Sequence, residues 1–212
     1  MSFANVLYRG VQLCALAVLF HAGNASAGSW STLGAPTDGC SNDVYASHQM
    51  ANGDVIVGGW FGNCGSGTTN YIARWQASTN TWSPIGGGVD GFVYAITSLG
   101  SDIYVGGVFK TAGGTNVSNV AMWNGTSWNN LGGGSPGSVA ALVQSNGVVY
   151  AAGGFTQIGG ISANNVAKWD GSAWTPLGLG AGGTSSLTRS LHAVGSNVTV
   201  HPNAYYAAER ST

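Results

Sequence analysis

Few side chains in this sequence are suited to catalysis. Its 212 residues include seven acidic and six basic ones, and a glycosidase needs two carboxyl groups about 5–9.5 Å apart across a cleft. Asp54 and Asp102 occupy turns in successive copies of a repeat, and Asp170 belongs to a hairpin turn. Ser135 fits the spacing G-x-S-x-G, but that motif requires a strand, a turn and a helix. No helix is expected there, so Ser135 is interpreted as a turn residue. With neither a carboxylate pair nor a serine motif, no catalytic residue is predicted.

Two histidines are the candidates for metal binding. His48 and His192 match each other when the chain is compared with itself, and the copies between them have Thr97 and Val143. If this position lines a common axis, the two imidazoles could converge on a metal ion. No third ligand is identifiable, because His201 lies in an unmatched tail. The alternative is that both histidines are isolated polar residues of a channel, and no cofactor is predicted.

Trp60 is the candidate ligand-binding residue. It replaces the valine found at the same place in the second copy, and it lies beside a segment around Cys64 that is interpreted as an insertion absent from the later copies. An exposed indole beside Asn63 and Ser66 could stack on a sugar ring. The alternative is that Trp60 packs beneath the inserted loop.

The elements that hold these residues come from one segment that occurs three times. The copies are V-I-V-G-G-W-F at Val55–Phe61, I-Y-V-G-G-V-F at Ile103–Phe109 and V-Y-A-A-G-G-F at Val149–Phe155. Their diglycines are aligned at Gly58, Gly106 and Gly153, and each copy is followed by two tryptophans, namely Trp75 and Trp82, Trp123 and Trp128, and Trp169 and Trp174. A period of this length indicates stacked supersecondary units.

Each copy has the pattern of four antiparallel strands. In the second copy these are Val93–Ser98, Asp102–Phe109, Asn119–Trp123 and Ser127–Leu131, with a glycine-rich loop before the third strand and a hairpin turn at Asn124-Gly125 before the fourth. Four-stranded units of this length, repeated radially, are typical of the blades of a β-propeller. The predicted fold is therefore all-β, with about three complete blades and a partial fourth, and the six repeated tryptophans are predicted to lie in the core.

The repeat also resembles a known family. A hydrophobic run, a diglycine and two aromatic residues seven positions apart, as in Trp75 and Trp82, are similar to the kelch repeat. The amino-acid sequence of the copies is even more similar to the kelch-like repeats of secreted bacterial proteins and fungal cortical polarity markers. The chain departs from kelch in having Trp75, Trp123 and Trp169 where tyrosine is usual. The resemblance covers about residues 29–200 and implies a propeller that binds protein or carbohydrate.

The N-terminal residues form a separate segment. Arg9, the apolar stretch Val11–Phe20 and Ala25-Ser26-Ala27 follow the order of a secretory signal peptide, so residues 1–27 are predicted to be removed on export. Blades are predicted at about 35–86, 87–132 and 133–178, followed by a partial blade at 179–200 and an unmatched tail at 201–212. This organisation leaves three alternatives open: an incomplete chain, closure as four blades, and assembly between chains.

Export would leave Cys40 and Cys64 as the cysteines of the mature chain, in an oxidising compartment. An even number there indicates one disulfide, which is predicted to staple blade one. The protein is therefore expected to be secreted, periplasmic or at the cell surface. The mature chain has no other apolar stretch long enough to cross a membrane, so no membrane insertion is predicted.

The composition narrows the possible partners. A formal net charge of −1 gives no basic surface for DNA or RNA, so no nucleic-acid partner is predicted. The preferred interpretation is an exported, non-catalytic binding module of the kelch-like propeller type, whose ligand is a protein or a carbohydrate. One alternative is a fragment of a propeller enzyme, a hydrolase, lyase or oxidase, whose active residues lie in missing blades. The other is a nonfunctional gene fragment.

Overall fold

A computed structural model describes residues 39–177, 188–194 and 197–202. The regular elements in these ranges are β-strands, which form three four-stranded antiparallel sheets, one further hairpin and three short hairpins. The predicted signal peptide at 1–27 lies outside the described residues, as does nearly all of the predicted tail. Within the part of the chain that the structure describes, no helix has the length and apolar character needed to cross a membrane.

The three complete blades have the same order of strands. Blade one contains β1 (Val44–Gln49), β2 (Val55–Gly59), β3 (Asn63–Cys64), β4 (Gly67–Thr68), β5 (Ile72–Gln76) and β6 (Thr81–Pro84). Blade two contains β7 (Phe92–Leu99), β8 (Asp102–Val108), β9 (Thr111–Ala112), β10 (Thr115–Asn116), β11 (Val120–Trp123) and β12 (Trp128–Asn130). Blade three contains β13 (Val139–Ser145), β14 (Val148–Gly153), β15 (Gln157–Ile158), β16 (Ile161–Ser162), β17 (Val166–Trp169) and β18 (Trp174–Pro176).

A fourth blade is represented by the hairpin of β19 (Thr188–Val194) and β20 (Asn197–Pro202). The first strands β1, β7, β13 and β19 contact one another in succession, so the blades stand side by side around a common axis. Strand β20 continues two residues beyond Val200, and its pairing of His201 with Ser190 matches that of Gly106 with Ala95 in blade two. The all-β propeller fold predicted from the repeats is confirmed.

The repeated tryptophans pair across the third and fourth strands of each blade. The ring centroids of the three pairs are 5.3 to 5.5 Å apart, and four of the six indoles are buried while Trp82 and Trp123 are half-buried. Trp128 Nε1 donates a hydrogen bond to the carbonyl of Gly86 at 3.0 Å, and Trp174 Nε1 donates one to the carbonyl of Leu131 at 2.9 Å. Each of these indoles therefore fills its own blade and ties it to the preceding one.

The diglycines make room for two close approaches. A Cβ atom on Gly58 would lie 2.3 Å from Cγ1 of Val93 in the next blade, and a Cβ atom on Gly59 would lie 2.1 Å from the carbonyl oxygen of Asp43. Real Cβ contacts are never so short, so a side chain at either position would push strands apart. The first glycine thus admits the neighbouring blade, and the second admits the first strand of its own blade.

The structure corrects the alignment of the third copy by one residue. Strand β14 pairs Ala152 with Ala141, as β2 pairs Gly58 with Ala46, so the equivalent of Gly58 is Ala152 and not Gly153. Ala152 is fully buried and packs in a cluster that includes Leu191 of the fourth blade. Blade three therefore accommodates a methyl group where the other blades have none.

The segment around Cys64 was predicted to be an insertion, and this prediction is wrong. The hairpins β3–β4, β9–β10 and β15–β16 have the same place in the three blades, and Cys64, Ala112 and Ile158 are equivalent buried residues in them. The sequence itself excludes an insertion, because 14 positions separate Phe61 from Trp75, Phe109 from Trp123 and Phe155 from Trp169 alike. The hairpin was not predicted because strands of two residues have no detectable hydrophobic period.

Cys40 and Cys64 form the predicted disulfide, with their Cα atoms 3.9 Å apart. The two residues also form a backbone bridge, and Val89 and Ala112 form the same bridge without a covalent bond in blade two. In blade one, the disulfide therefore holds the segment before the first strand against the short hairpin. In blade two, apolar packing makes the same contact. The prediction of a staple in blade one is confirmed.

Candidate functional site

In each of the three complete blades, a β-bulge near the start of the first strand leaves one residue out of the pairing register. The unpaired residues are Tyr45 in blade one, Tyr94 in blade two and Ala140 in blade three. Bulges bend a strand and redirect the side chain of the extra residue, often beside functional sites. Both tyrosines are exposed here, Tyr45 by 45% and Tyr94 by 36%, so the fold itself places aromatic rings at the surface.

Tyr45, Trp60, Phe92 and Tyr94 form one connected group at the junction of blades one and two, which we name the aromatic patch. The ring centroids of Tyr45 and Tyr94 are 5.8 Å apart, those of Tyr94 and Phe92 are 6.4 Å apart, and those of Phe92 and Trp60 are 5.8 Å apart in a T-shaped arrangement. Trp60 is 47% exposed, so it does not pack beneath the short hairpin. The rings hold one another in place while leaving much of their surface open to solvent.

The next junction indicates that the fold does not require these rings. Between blades two and three, three of the four patch positions hold small or aliphatic residues, namely Val108, Ser138 and Ala140. The strand pairing and the bulge are nevertheless the same at both junctions. The aromatic side chains are therefore a local addition to the repeated scaffold, and large exposed apolar groups of this kind mark interaction sites.

Tyr71 supports the patch from below in a backbone conformation that is unfavourable for tyrosine. Its φ angle is 66°, and its ring packs edge-on against Phe92 with the centroids 6.1 Å apart. The equivalent residues Asn119 and Asn165 have φ angles of 67°, and asparagine tolerates this left-handed region well. Strained residues of this kind cluster at functional sites.

The Tyr45 hydroxyl is a neutral polar group of the aromatic patch. Burial raises the pKa of the Tyr45 hydroxyl, and the negative charges of Asp43 and an ionised Tyr94 would raise it further. The hydroxyl therefore stays protonated at physiological pH and can both donate and accept a hydrogen bond. Asp43 is exposed next to Tyr45, and its carbonyl accepts a hydrogen bond from the Trp60 amide at 2.8 Å.

A cleft of about 800 Å³ lies at the opposite ends of the same first strands. Its walls include His48 and Gln49 of blade one, Ser98 of blade two and Gln144 of blade three. His48 Nε2 lies 2.8 Å from Ser98 Oγ, and burial lowers the pKa of the imidazole. Ser98 is not recognisable from the sequence as a partner of His48, because the two residues are 50 positions apart and meet only across the boundary between blades.

The two candidate metal ligands differ in their surroundings. His48 lines the cleft and is half-buried, whereas His192 on β19 is exposed and does not line the cleft. Within residues 39–177, 188–194 and 197–202, no group of three or more histidine, cysteine, aspartate or glutamate side chains could hold a metal ion. Among the described residues, the structure therefore identifies no third ligand for a metal ion at these histidines.

Sequence reasoning found only one member of the aromatic patch. Trp60 was singled out because it interrupts a repeat, but Tyr45, Phe92 and Tyr94 look like ordinary residues of alternating strands. An alignment of the three copies would reveal these residues, because the equivalent positions in blade three hold serine and alanine instead of aromatic residues. That comparison requires the bulge register, which the structure supplies.

Comparison with known families agrees with the architecture. No protein in the curated collections matches the chain significantly. A family model described as "Domain of unknown function (DUF5122) beta-propeller" matches residues 51–77 and 144–168. The two matches cover about a quarter of the chain and lie in equivalent parts of blades one and three. Each includes the second strand, the short hairpin and all or most of the third strand. The repeated blades, their pairing order and this match together identify a β-propeller repeat protein.

Proposed function

We propose that this protein is an exported binding module of the kelch-like propeller type whose aromatic patch binds a neutral carbohydrate. The observation that carries the proposal is the contrast between two junctions of one scaffold. The junction of blades one and two presents a connected set of rings, and the junction of blades two and three has the same backbone without them. Side chains that the fold does not need are available for recognition.

The size of the patch favours a carbohydrate over a protein. A stable protein–protein interface typically buries about 800 Å² on each partner and involves roughly 20–30 residues a side, whereas the aromatic patch has four. Sugar rings present apolar C–H faces that stack on aromatic side chains, and their hydroxyl groups bond polar neighbours. The Tyr45 hydroxyl and the exposed Asp43 carboxylate supply such neighbours.

Export is supported by the disulfide and by the N-terminal sequence. A disulfide such as Cys40–Cys64 persists in secreted and periplasmic proteins and is rare in the cytosol. Residues 1–27 have the order of regions found in a secretory signal peptide. Glycans are abundant ligands outside the cytosol, so the compartment and the surface chemistry point to the same class of ligand.

A glycan array of neutral oligosaccharides, followed by calorimetry with the best ligand, tests this function. Substitution of Trp60 or Tyr94 by alanine should weaken binding by about tenfold or more, because each removes a stacking surface. Val108→Ala is the matched control, since Val108 is as exposed as Trp60 and has the equivalent position in blade two. Binding that survives both aromatic substitutions, or the absence of any glycan ligand, would overturn the proposal.

A further inference from the structure

The cleft at the far ends of the first strands contains a serine and a histidine in direct contact. Ser98 Oγ lies 2.8 Å from His48 Nε2, within the range that a nucleophile and its general base require. Ser98 lies on β7 of blade two and His48 lies on β1 of blade one, and both residues line the cleft. The aromatic patch lies at the other ends of these strands, so this feature is independent of carbohydrate binding.

The repeated register defines the surroundings of the pair. Gln49, Ser98 and Gln144 have the same position in blades one, two and three, where they pair with Val55, Ile103 and Val149. Gln49 and Gln144 therefore line the cleft from the blades on either side of Ser98, and their side-chain amides are hydrogen-bond donors. The other walls include apolar side chains from Met50, Ile96 and Leu142.

We propose that Ser98 and His48 act as a nucleophile and general base that hydrolyse small, neutral carboxylic esters in this cleft. The hydroxyl supplies the attacking oxygen, the imidazole takes its proton, and the apolar wall receives a short acyl chain. No metal, redox partner or bound cofactor is needed for this chemistry, because water is the second substrate.

The reaction proceeds in two balanced steps. Ser98 Oγ attacks the carbonyl carbon while its proton passes to His48 Nε2, and the tetrahedral intermediate expels the alcohol, which takes that proton. This leaves an ester on Ser98 and a neutral imidazole. His48 then removes a proton from water as the water oxygen attacks the acyl carbon. The acyl–oxygen bond to Ser98 breaks, and Ser98 Oγ takes the proton from His48. Overall, one ester and one water give one alcohol and one carboxylic acid.

Two features of His48 set the expected rate. Burial lowers the pKa of the imidazole, so its neutral form is available to accept the proton. Among the described residues, no carboxylate is bonded to its Nδ1 atom, and loss of such an orienting carboxylate slows a serine protease by about 10⁴-fold. Hydrolysis should therefore be slow, and covalent trapping of the serine is the more sensitive measurement.

A fluorophosphonate probe tests the proposal on the intact protein. Attack by an activated serine displaces fluoride and leaves a stable phosphonate ester, which peptide mass mapping should locate on Ser98 of the native protein and not on thermally unfolded protein. Labelling and p-nitrophenyl acetate hydrolysis should fall by about tenfold or more in Ser98→Ala and His48→Gln. Ser47→Ala is the control, because Ser47 neighbours His48 on β1 and does not line the cleft.

A purely structural hydrogen bond between the blades predicts a different outcome. It would give no probe adduct on native protein, or adducts spread over exposed serines with no preference for Ser98. Either result would overturn the proposal. Because peptide mapping uses the unsubstituted protein, the answer does not depend on whether Ser98→Ala folds.

Discussion

Tyr71 packs its ring edge-on against Phe92, with the centroids 6.1 Å apart, from a backbone at a φ angle of 66°. The two residues belong to neighbouring blades, since Tyr71 precedes β5 and Phe92 begins β7. In blade two, the equivalent Asn119 uses its side-chain amide to bond the carbonyls of Ser135 and Gly137 in the chain entering blade three. At this position blade one therefore has Tyr71, whose ring supports the aromatic patch, where blade two has an asparagine that makes two hydrogen bonds to the next blade.

Tyr71→Asn should separate stability from binding. The left-handed conformation costs most residues roughly 1–2 kcal/mol, and asparagine pays less of this, which offsets the loss of a ring contact worth about 0.5–1.5 kcal/mol. The free energy of unfolding should therefore stay within about 1 kcal/mol of wild type. Affinity for the glycan should fall, because Phe92 loses the ring beneath it. Denaturant unfolding and calorimetry measure the two quantities.

The reverse substitution in blade two is the matched control. Asn119→Tyr introduces the same strain and removes the hydrogen bonds to Ser135 and Gly137. It should lower the free energy of unfolding by about 2 kcal/mol or more. If Tyr71→Asn were as destabilising as Asn119→Tyr, or left glycan affinity unchanged, the assigned role of Tyr71 would be wrong.

The indole N–H groups predict an inequality among three equivalent tryptophans. Trp128 and Trp174 donate hydrogen bonds to the preceding blade, whereas Trp82 Nε1 is buried and has no hydrogen-bond partner within the described residues. Substitution by phenylalanine removes the donor but keeps an aromatic ring. Trp128→Phe and Trp174→Phe should each lower the free energy of unfolding by about 1 kcal/mol more than Trp82→Phe. Equal losses in urea unfolding of the three variants would contradict this reading of the indole contacts.

The disulfide can be replaced by the apolar pair that blade two uses. Cys40→Val together with Cys64→Ala copies Val89 and Ala112, which form the same backbone bridge. The fold should be retained, and the free energy of unfolding should fall by about 2–4 kcal/mol because the unfolded chain regains its freedom. Wild-type protein measured with a reductant should lose a similar amount. A double variant as stable as the oxidised protein would show that the staple adds nothing.

The fold was largely predictable because its large determinants recur. Paired tryptophans recur in blades one to three and the diglycine recurs at the same place in blades one and two, so the same core contacts are specified more than once. The third copy was misaligned by one residue because Ala152 replaces the glycine used as a marker. The short hairpins were missed because two-residue strands are fixed by loop geometry and not by a hydrophobic pattern.

The candidate sites were less predictable for a different physical reason. Trp60 was found because one residue departed visibly from a repeat, but its partners Phe92 and Tyr94 come from the next blade. His48 and Ser98 also meet across blades. Contacts between blades depend on the bulge and on how one sheet stacks on the next, and neither is written in the periodicity of a single copy.

Asp170 predicts an acid-sensitive hairpin in blade three. Its carboxylate accepts hydrogen bonds from the amides of Ala173 at 2.9 Å and Ser172 at 2.8 Å, and these bonds lower its pKa to about 2. Because the folded pKa lies below the ordinary value of 3.8, the stabilisation is fully present above that value and is lost as the pH falls through about 2.

Asp170→Asn should remove this pH dependence while keeping the turn. Asn124 has the equivalent position in blade two, and its Oδ1 accepts the same two backbone hydrogen bonds, from Thr126 and Ser127. In NMR titrations from neutral to strongly acidic pH, the Ser172 amide of wild type should shift with a midpoint near pH 2. The same amide in the variant should not titrate. A wild-type midpoint close to that of a free aspartate would mean that the carboxylate is not held by these amides.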